Sequence, residues 1–304
     1  MNQNFLALGL EDNLVQAVEQ LGFEKPSPVQ EKCIPIVLNE DTDLVALAQT
    51  GTGKTASFGL PLIQKIDTGN RKTQALVLAP TRELCIQITA DLKDFSSFKK
   101  TNVVAVYGGA SITDQAKKLK KGAQVIVATP GRLKDMINRR LVDLSHIDYL
   151  VLDEADEMLN MGFQEAIDEI LETASKDRNT WLYSATMPKE VAKIASNYMK
   201  DPLEVTCGTK NQAASTVEHE YYLIDNRHRY RTLRRIVDSC PGIYAIVFCR
   251  TRAETQNVAE RLMADGYNTG GLHGDMSQGQ RDGVMKQFKN NFLPFFRIYP
   301  SHQI

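Results

Sequence analysis

The chain has 304 residues, of which 42% are hydrophobic and 24% charged, a composition typical of folded globular proteins and long enough for two domains of ordinary size. Its 36 basic and 37 acidic residues give a net charge of -1, which excludes a strongly basic, histone-like binder and leaves only a local basic face to contact nucleic acid. No apolar run reaches the roughly 18 to 20 residues of a membrane span, and the first residues lack a signal-peptide pattern, so we expect a cytoplasmic protein.

The first part of the chain predicts two helical stretches that precede the main domain. Apolar residues recur there at helical spacing, and "GFEKPSPVQ" follows, in which Gly22, Pro26 and Pro28 predict a break. The residues of this helical pattern are Leu10, Leu14, Ala17, Val18 and Leu21.

Short runs of Val, Leu, Ile and Ala then alternate with amphipathic segments. Runs that are apolar on both faces and separated by helix-length stretches are typical of a parallel sheet with helices on both sides. The first half of the chain is therefore predicted to be a doubly wound α/β domain, with strands at 43–48, 74–79, 102–107, 123–128, 148–153 and 179–184.

Polar and small residues replace this pattern around "DPLEVTCGTKNQAAST", residues 201–216, which predicts a linker at 207–217. A second α/β domain is predicted after it, from apolar runs at 217–224, 244–249 and 267–272. The cysteines are scattered without a C-x-x-C pair, which favours reduced core residues over a zinc cluster or disulfide framework. They are Cys33, Cys85, Cys207, Cys240 and Cys249.

The segment "AQTGTGKT", residues 48–55, follows the first apolar run and opens a helical stretch. Gly51 and Gly53 allow backbone N–H groups to converge on phosphate oxygens, Lys54 can reach terminal phosphates, and Thr55 suits a magnesium ion. Ala48 stands where the usual pattern has Gly, and the alternative is a chance glycine-rich loop. The strand and helix context favours a phosphate-binding loop.

The segment "YLVLDEADEML", residues 149–159, places two carboxylates after an apolar strand. Asp153 is positioned to hold magnesium, and Glu154 to orient or deprotonate an attacking water. The alternative is a helix start that favours acids. The phosphate-binding loop upstream favours the hydrolytic interpretation.

With these motifs in order, the chain resembles the DEAD-box RNA helicases from its first residues to about residue 290. The matching segments are "GFEKPSPVQ" (Q motif), "AQTGTGKT" (I), "PTRELCIQ" (Ia), "GG" at 108–109, "TPGR" (Ib), "DEAD" (II), "SAT" (III), and in the second domain "VFCRTR" (IV) and "LHGDMSQGQR". The resemblance implies a Q-motif region at 1–31, a RecA-like domain at 32–206, a linker at 207–217 and an incomplete second RecA-like domain at 218–290.

The resemblance implies that ATP and Mg²⁺ bind the first domain. Lys54, Asp153 and Glu154 would be catalytic, and Thr55 and Asp153 would hold the metal. Phe23 would stack on adenine and Gln30 would bond its edge, although a core Phe is the alternative. The full ATP-binding set is Phe5, Phe23, Gln30, Ala48, Gln49, Thr50, Gly51, Thr52, Gly53, Lys54 and Thr55.

It also implies sequence-independent contacts with the RNA backbone from strand-to-helix junctions. A simple Pro-Gly turn is the alternative for "TPGR", and "KKLKKG" at 117–122 is interpreted as a solvated helix face. Asp156, Ser184 and Thr186 would couple nucleotide to RNA, where the alternative is a strand end that caps a helix. The RNA-binding set is Pro80, Thr81, Arg82, Gly109, Thr129, Pro130, Gly131, Arg132, Gln278 and Arg281.

The last residues, 291–304, depart from the family pattern. The motifs A-T-D-x-x-A-R-G and H-R-x-G-R do not occur in the 304 residues, and Pro294 and Pro300 are expected to interrupt any central strand there. We therefore expect an aberrant tail, for example from a shifted reading frame, a thin second domain and impaired helicase turnover. The alternatives are an ATP- and RNA-binding fragment that does not cycle, and a DNA helicase of the same superfamily.

Overall fold

The computed structural model describes residues 2–207, 218 and 220–290, together with the backbone of 295–298. The chain divides into two compact units, Met1–Thr216 and Val217–Ile304. Each unit has its own parallel sheet, one of seven strands and one of three. In the described part of the chain, no helix combines the length and the apolar character needed to cross a membrane.

The sheet of the first unit has the strand order β3-β4-β2-β5-β6-β1-β7, and every pairing is parallel. Six strands confirm the predicted apolar runs. Sequence reasoning missed the seventh, the edge strand β7, because only Val205 in it is buried and it carries little apolar signal. The strands are β1 Leu44–Ala48, β2 Ala75–Leu78, β3 Val103–Val106, β4 Val125–Ala128, β5 Tyr149–Leu152, β6 Asn179–Ser184 and β7 Leu203–Cys207.

Helices cover both faces of this sheet, as the doubly wound prediction requires. Successive residues of β1 enter different cores, because Leu44 and Ala46 pack in one apolar cluster and Val45 in the other. The helices of the unit are α1 Gln3–Leu6, α2 Asp12–Gln20, α3 Pro28–Asn39, α4 Lys54–Lys65, α5 Arg82–Phe95, α6 Ile112–Lys120, α7 Pro130–Asn138, α8 Ala155–Asn160, α9 Gln164–Thr173 and α10 Lys189–Tyr198.

The predicted N-terminal helical pattern is α2, whose Leu14, Ala17 and Val18 are buried in the core, while Leu21 is 41% exposed just after the helix. The predicted break ends at Pro28, which starts α3 because a proline costs no hydrogen bond in the first turn. The N-cap Ser27 donates its backbone N–H to the side-chain Oε1 of Gln30 at 2.9 Å, which is one half of a capping box at this helix start.

The loops that follow β1, β2, β4, β5 and β6 all lie at the carboxyl edge of the sheet, because the strands are parallel. This edge is where ligands bind in open α/β sheets. Most predicted motif residues of the first unit lie in these loops, at the strand ends before them or at the helix starts after them. The exceptions are Gly109, which follows β3, and the Q-motif residues Phe5, Phe23 and Gln30, which precede β1.

The second unit has the strand order β8-β10-β9. The predicted strand at 217–224 is wrong for its described residues: 220–224 are neither strand nor helix, and Tyr221 and Leu223 are 86% and 91% exposed. Apolar alternation alone does not make a strand, because a strand needs a partner to pair with. The elements are a short 3-10 helix Asn226–His228, α11 Arg229–Ser239, β8 Ala245–Phe248, α12 Arg252–Ala264, β9 Thr269–Leu272, α13 Gln278–Lys289 and β10 Phe295–Ile298.

The expectation that prolines prevent a central strand in the tail is also wrong. The strand β10 occupies the four residues Phe295–Ile298, and it pairs in parallel register with β8 on one side and β9 on the other. Pro294 and Pro300 fall outside the four paired residues, so neither removes a ladder hydrogen bond from them. The rest of the predicted aberrant tail, 291–294 and 299–304, lies outside the described residues.

Candidate functional site

The phosphate-binding loop connects the last residue of β1, Ala48, to the first residue of α4, Lys54. Gly51 and Gly53 have φ values of +80° and +91°, which non-glycine residues adopt only with strain. The hydroxyl of Thr52 donates to the carbonyl of Gln49 at 2.7 Å and so closes the turn. The first N–H groups of α4 therefore begin at the carboxyl edge of the sheet, where an anion is favoured.

Gln30 lies directly against this loop. Its amide Nε2 donates to the carbonyl of Gly53 at 3.1 Å, and its Oε1 accepts from the Ser27 N–H at 2.9 Å. A Cβ on Gly53 would stand only 2.4 Å from Gln30 Nε2. The structure thus brings the predicted adenine-binding glutamine and the predicted phosphate loop into contact.

The two predicted aromatic residues also meet. Phe5 is buried, and its ring centroid lies 6.2 Å from that of Phe23 in an edge-to-face arrangement. Phe23 packs in the same manner on Phe95, at 6.4 Å. Phe23 lines the cavity in front of the loop, whereas Phe5 lies behind it and supports its ring.

Asp153 and Lys54 form the buried charged centre of the site, with exposed fractions of 3% and 6%. Burial raises the pKa of Asp153 to about 7, although the charge of Lys54 acts in the opposite direction. Lys54 Nζ has no hydrogen-bond partner among the described residues. A buried ammonium without a hydrogen-bond acceptor is costly, and an anionic ligand would remove that cost.

Glu154 adopts a left-handed backbone conformation, with φ +52° and ψ +51°, where it caps the start of α8. Such a conformation costs a non-glycine residue about 1 to 3 kcal/mol and is concentrated at functional sites. Burial raises the pKa of Glu154 above its ordinary value, again against the effect of Lys54. A raised pKa suits a group that takes up a proton.

A cavity of about 440 Å³ lies in front of the loop, within the volume range of small-molecule sites. The predicted site residues that line it are Phe23, Thr50, Gly51, Gly53, Lys54, Thr55, Asp153 and Glu154. Its opposite wall is one face of α5, which sequence reasoning missed. The signal was present, because Leu84, Gln87, Asp91 and Asp94 recur at helical spacing after "PTR". Burial, and secondarily Asp94, raises the pKa of Asp91.

The predicted coupling residues form one hydrogen-bonded group. Asp156 Oδ2 accepts from the N–H of Thr186 at 2.9 Å and from its hydroxyl at 2.7 Å. Ser184 Oγ accepts from the Asp156 N–H at 3.4 Å and donates to the carbonyl of Thr186 at 2.7 Å. Burial raises the pKa of Asp156, but these hydrogen bonds outweigh it and the pKa is lowered overall.

The predicted RNA-binding junctions lie in three neighbouring loops. Thr81 caps α5 by accepting from the Leu84 N–H at 3.2 Å, and the Arg82 guanidinium lies over the Tyr107 ring at 5.2 Å. Arg132 Nη1 donates to the carbonyl of Ala110 at 2.9 Å. Sequence reasoning missed Tyr107 and Ala110, which hold the two arginines. The remaining predicted residues there are Pro80 after β2, Gly109 with φ +77°, Thr129 at the cap of α7, and Pro130 and Gly131 in its first turn.

The two predicted residues of the second unit lie on one face of α13. Gln278 donates to Asp282 at 3.0 Å, and Arg281 donates to the carbonyl of Gly274 at 2.8 Å. Arg281 thereby ties α13 to the loop after β9.

The residues of the first unit fit the ligands that the motifs imply. A polyphosphate suits the buried ammonium of Lys54, which has no hydrogen-bond partner in the described part of the chain, together with a glycine-rich turn and a helix start. A carboxylate at a strand end and a hydroxyl at the helix start, Asp153 and Thr55, supply the oxygen ligands that Mg²⁺ prefers.

Two family models match the chain. The model "DEAD/DEAH box helicase" covers residues 27–194, and the model "Helicase conserved C-terminal domain" covers residues 228–296. The second match includes the first two residues of β10.

Curated relatives share the sequence along most of the chain. The "ATP-dependent RNA helicase CshA" of Limosilactobacillus reuteri is 45% identical over 289 residues, which is 95% of this chain and 58% of that protein. The protein of the same name from Listeria monocytogenes is 44% identical over 94% of this chain and 55% of its own length. The chain thus spans a little over half the length of these relatives.

Solved structures share the fold. A DEAD box protein from the hyperthermophile Methanococcus jannaschii matches with a TM-score of 0.66 and 39% identity, over 97% of this chain and 79% of that one. Dbp5 of S. cerevisiae bound to RNA and ADP BeF3 matches with a TM-score of 0.86 and 27% identity, over 97% of this chain and 75% of that one.

Proposed function

The chain belongs to the family of DEAD/DEAH box helicases, and on this premise we propose that it is the ATP- and RNA-binding part of an ATP-dependent RNA helicase. In this proposal ATP binding and hydrolysis are coupled to local unwinding of RNA duplexes. The relatives named as ATP-dependent RNA helicases support the reaction class.

The observation that carries the proposal is the buried Lys54, whose ammonium has no hydrogen-bond partner among the described residues although it lies in the wall of the cavity. We propose that it binds the β- and γ-phosphates of ATP, that the loop 48–55 holds the phosphate chain, and that Phe23 and Gln30 bind adenine. Gln30 already contacts Gly53 of the phosphate-binding loop, so the same side chain would contact both this loop and the adenine of a bound ATP.

Bound Mg²⁺ would neutralise phosphate charge, and we propose that Thr55 and Asp153 hold it. Glu154 is proposed to orient the attacking water and to accept its proton, which its raised pKa supports. A structural change at this site would reach the loop after β6 through Asp156, Ser184 and Thr186. Their hydrogen bonds join the helix start after β5 to the end of β6 and the loop after it.

RNA is proposed to lie along the loops that contain Arg82, Gly109 and Arg132. Two guanidinium groups and the starts of α5, α6 and α7 can hold a sugar-phosphate chain without reading bases. The proposed binding is therefore independent of sequence and sensitive to salt. The Dbp5 structure with bound RNA supports the class of ligand.

We propose further that the 304 residues by themselves hydrolyse ATP poorly. They contain no A-T-D-x-x-A-R-G or H-R-x-G-R motif, and an arginine that stabilises the transferring phosphoryl group is worth roughly 10³ to 10⁵ in rate. Gln278 and Arg281 are assigned as RNA contacts of the second unit on the resemblance alone.

The test measures binding and turnover separately on the 304-residue chain. A fluorescent ATP analogue with Mg²⁺ should bind, Lys54→Ala should abolish that binding, and Lys65→Ala, at the last turn of the same helix, should preserve it. RNA-stimulated phosphate release should be at least 10³-fold below that of a relative of full length.

Absence of nucleotide binding by the unmodified chain would overturn the proposal. Turnover at the level of the full-length relative would retain the helicase assignment and refute the impairment. Equal affinity for single-stranded DNA and RNA of one sequence would refute the assignment of RNA as the specific ligand.

A further inference from the structure

A surface groove runs along the edge strand β3, between α5 and α6, with a volume of about 420 Å³. Exposed Lys93, Lys118 and Lys121 line it. None of these lysines belongs to a motif of the candidate site.

A second groove, of about 690 Å³, lies where the strands β2, β4 and β5 begin, at the amino edge of the sheet. Arg71, Lys72 and Lys120 line it together with Lys121, which is common to both grooves. The loop that carries Arg71 and Lys72 is fixed in place, because the amide of Gln74 donates to the carbonyls of Asp67 and Asn70 at 2.8 and 3.1 Å.

The edge groove also reaches the proposed RNA-binding loops. Tyr107 and Ala110 line its other end, and these are the residues that contact Arg82 and Arg132. A basic path therefore leads from the carboxyl edge of the sheet, around the β3 edge, to the amino edge. We name the six basic residues along it the edge track: Arg71, Lys72, Lys93, Lys118, Lys120 and Lys121.

The charge of the edge track is concentrated. Among the described residues, only two carboxylates, Asp114 and Asp143, line the same two grooves. Asp114 faces Lys117 at 3.9 Å, and Asp143 accepts two hydrogen bonds from Ser145. A chain with a net charge of -1 thus presents six basic groups against two acids along one continuous surface.

Protection of an exposed strand edge is the competing explanation, since lysines beside an edge prevent it from pairing with another chain. It accounts for Lys93, Lys118 and Lys121, because β3 pairs only with β4 in the described sheet. It does not account for Arg71, Lys72 and Lys120, which line the groove at the amino ends of the interior strands β2, β4 and β5 and not the β3 edge.

We propose that the edge track is a second RNA-binding surface, which holds the single strand that leaves the motif loops. The inference rests on the proposed RNA binding at Arg82 and Arg132. The ligand is the phosphate backbone, because flexible ammonium groups hold phosphates without reading base edges. The groove along residues 102–107 spans about 20 Å, which is long enough for several nucleotides.

The test compares oligouridines of about 8 and about 24 nucleotides on the full chain, lengths chosen around typical single-strand site sizes. The unmodified chain should bind the longer RNA more tightly than the shorter one. The gain should exceed the statistical gain from the larger number of binding registers on the longer RNA. In Lys93→Gln/Lys118→Gln/Lys121→Gln, affinity for the long RNA should fall about tenfold and the slope of log K against log salt by about 2, while affinity for the short RNA is unchanged.

A matched control removes the same charge elsewhere. Lys176→Gln/Lys189→Gln/Lys193→Gln alters exposed lysines near β6, four strands and about 19 Å from β3 in the sheet order. If this variant weakens binding of the long RNA as much as the first variant does, the loss is caused by the change in net charge and the proposal is wrong. Self-association of the first variant with unchanged RNA affinity would likewise refute it, in favour of edge protection.

Failure of this proposal is distinguishable from failure of the proposed function. If the unmodified chain binds short RNA, and Arg132→Gln weakens that binding, the motif loops bind RNA as proposed. Absence of extra affinity for the long RNA would then overturn the edge track alone. Absence of binding to both RNAs would overturn the proposed function as well.

Discussion

Asp156 receives two hydrogen bonds from one residue, Thr186, from the backbone N–H at 2.9 Å and from the hydroxyl at 2.7 Å. The pair joins the helix start after β5 to the loop after β6, because Asp156 lies in α8 and Thr186 follows the last residue of β6. A change on either loop is therefore transmitted to the other through one buried carboxylate.

Thr186→Val should lower the free energy of unfolding at pH 7 by about 1 to 2 kcal/mol, because a hydrogen bond to a charged group is lost. The pKa of Asp156 is lowered in the folded chain. Its contribution to stability is therefore complete above its unfolded pKa of about 4 and is lost as the pH falls below that value.

Urea unfolding at pH 7 and pH 3.5 should show a difference between variant and unmodified chain that shrinks in acid. Thr206→Val, on the exposed side of β7, is the control and should change stability by less than about 0.5 kcal/mol.

Asp153→Asn should stabilise the nucleotide-free chain while it removes magnesium-dependent ATP binding. The folded pKa of Asp153 is about 7, raised by burial. Between pH 4 and pH 7 the folded state therefore keeps a proton on Asp153 that the unfolded state has released. The contribution of Asp153 to the free energy of unfolding of the unmodified chain thus falls as the pH rises from 4 to 7. The expected gain is about 1 to 4 kcal/mol at pH 8 and close to zero at pH 4.

Urea unfolding in the presence of a chelator measures this gain. Asp177→Asn, at an exposed position, controls for the change in net charge. A gain for Asp153→Asn that is equal at pH 4 and pH 8 would contradict the burial of an ionisable carboxylate.

Gly51→Ala and Gly53→Ala separate backbone strain from close packing in the phosphate-binding loop. Both residues have φ near +80° to +90°, so each substitution should cost about 1 kcal/mol. A Cβ at position 51 meets nothing within 4 Å, but at position 53 it meets Gln30 Nε2 at 2.4 Å. Gly53→Ala should therefore cost about 1 to 3 kcal/mol more than Gly51→Ala in urea unfolding, because the displaced Gln30 amide loses its hydrogen bonds to Ser27 and Gly53.

The double variant Gln30→Ala/Gly53→Ala completes this comparison. The removal of the Gln30 amide opens space for the new Cβ, so the double variant should be more stable than the sum of the single effects predicts. Additive effects would mean that Gln30 and Gly53 do not touch.

Much of the first unit could be predicted from sequence because its strands are buried on both faces and so appear as apolar runs. The edge strand β7 could not, since only Val205 in it is buried. The motif residues were predictable from local patterns, whereas Tyr107 and the face of α5 come from elsewhere in the chain and reach the site only through folding. In the tail, the two prolines led to the wrong prediction, because four residues between them are enough for a paired strand.

Tyr107→Leu should weaken binding of short RNA about 2- to 5-fold, because a cation–π contact near the surface contributes about 0.5 to 1 kcal/mol to holding an arginine in place. The contact at issue is the Arg82 guanidinium at 5.2 Å from the ring centroid. Tyr107→Phe keeps the ring and should bind RNA as the unmodified chain does. Fluorescence anisotropy with an oligouridine measures both, and equal losses in the two variants would assign the effect to the phenol hydroxyl instead.

Removal of β10 should unfold the sheet of the second unit and leave the first unit folded. In the described sheet β8 and β9 each pair only with β10, and not with each other. A chain shortened to residues 1–290 therefore loses every strand pairing of that sheet, and isolated strands are not stable in water. The control, residues 1–298, keeps the four paired residues. Hydrogen exchange should show the amides of β8 and β9 protected in the control and unprotected in the shorter chain, with β1 to β6 protected in both. Equal protection of β8 and β9 in the two chains would mean that pairing with β10 does not hold this sheet together.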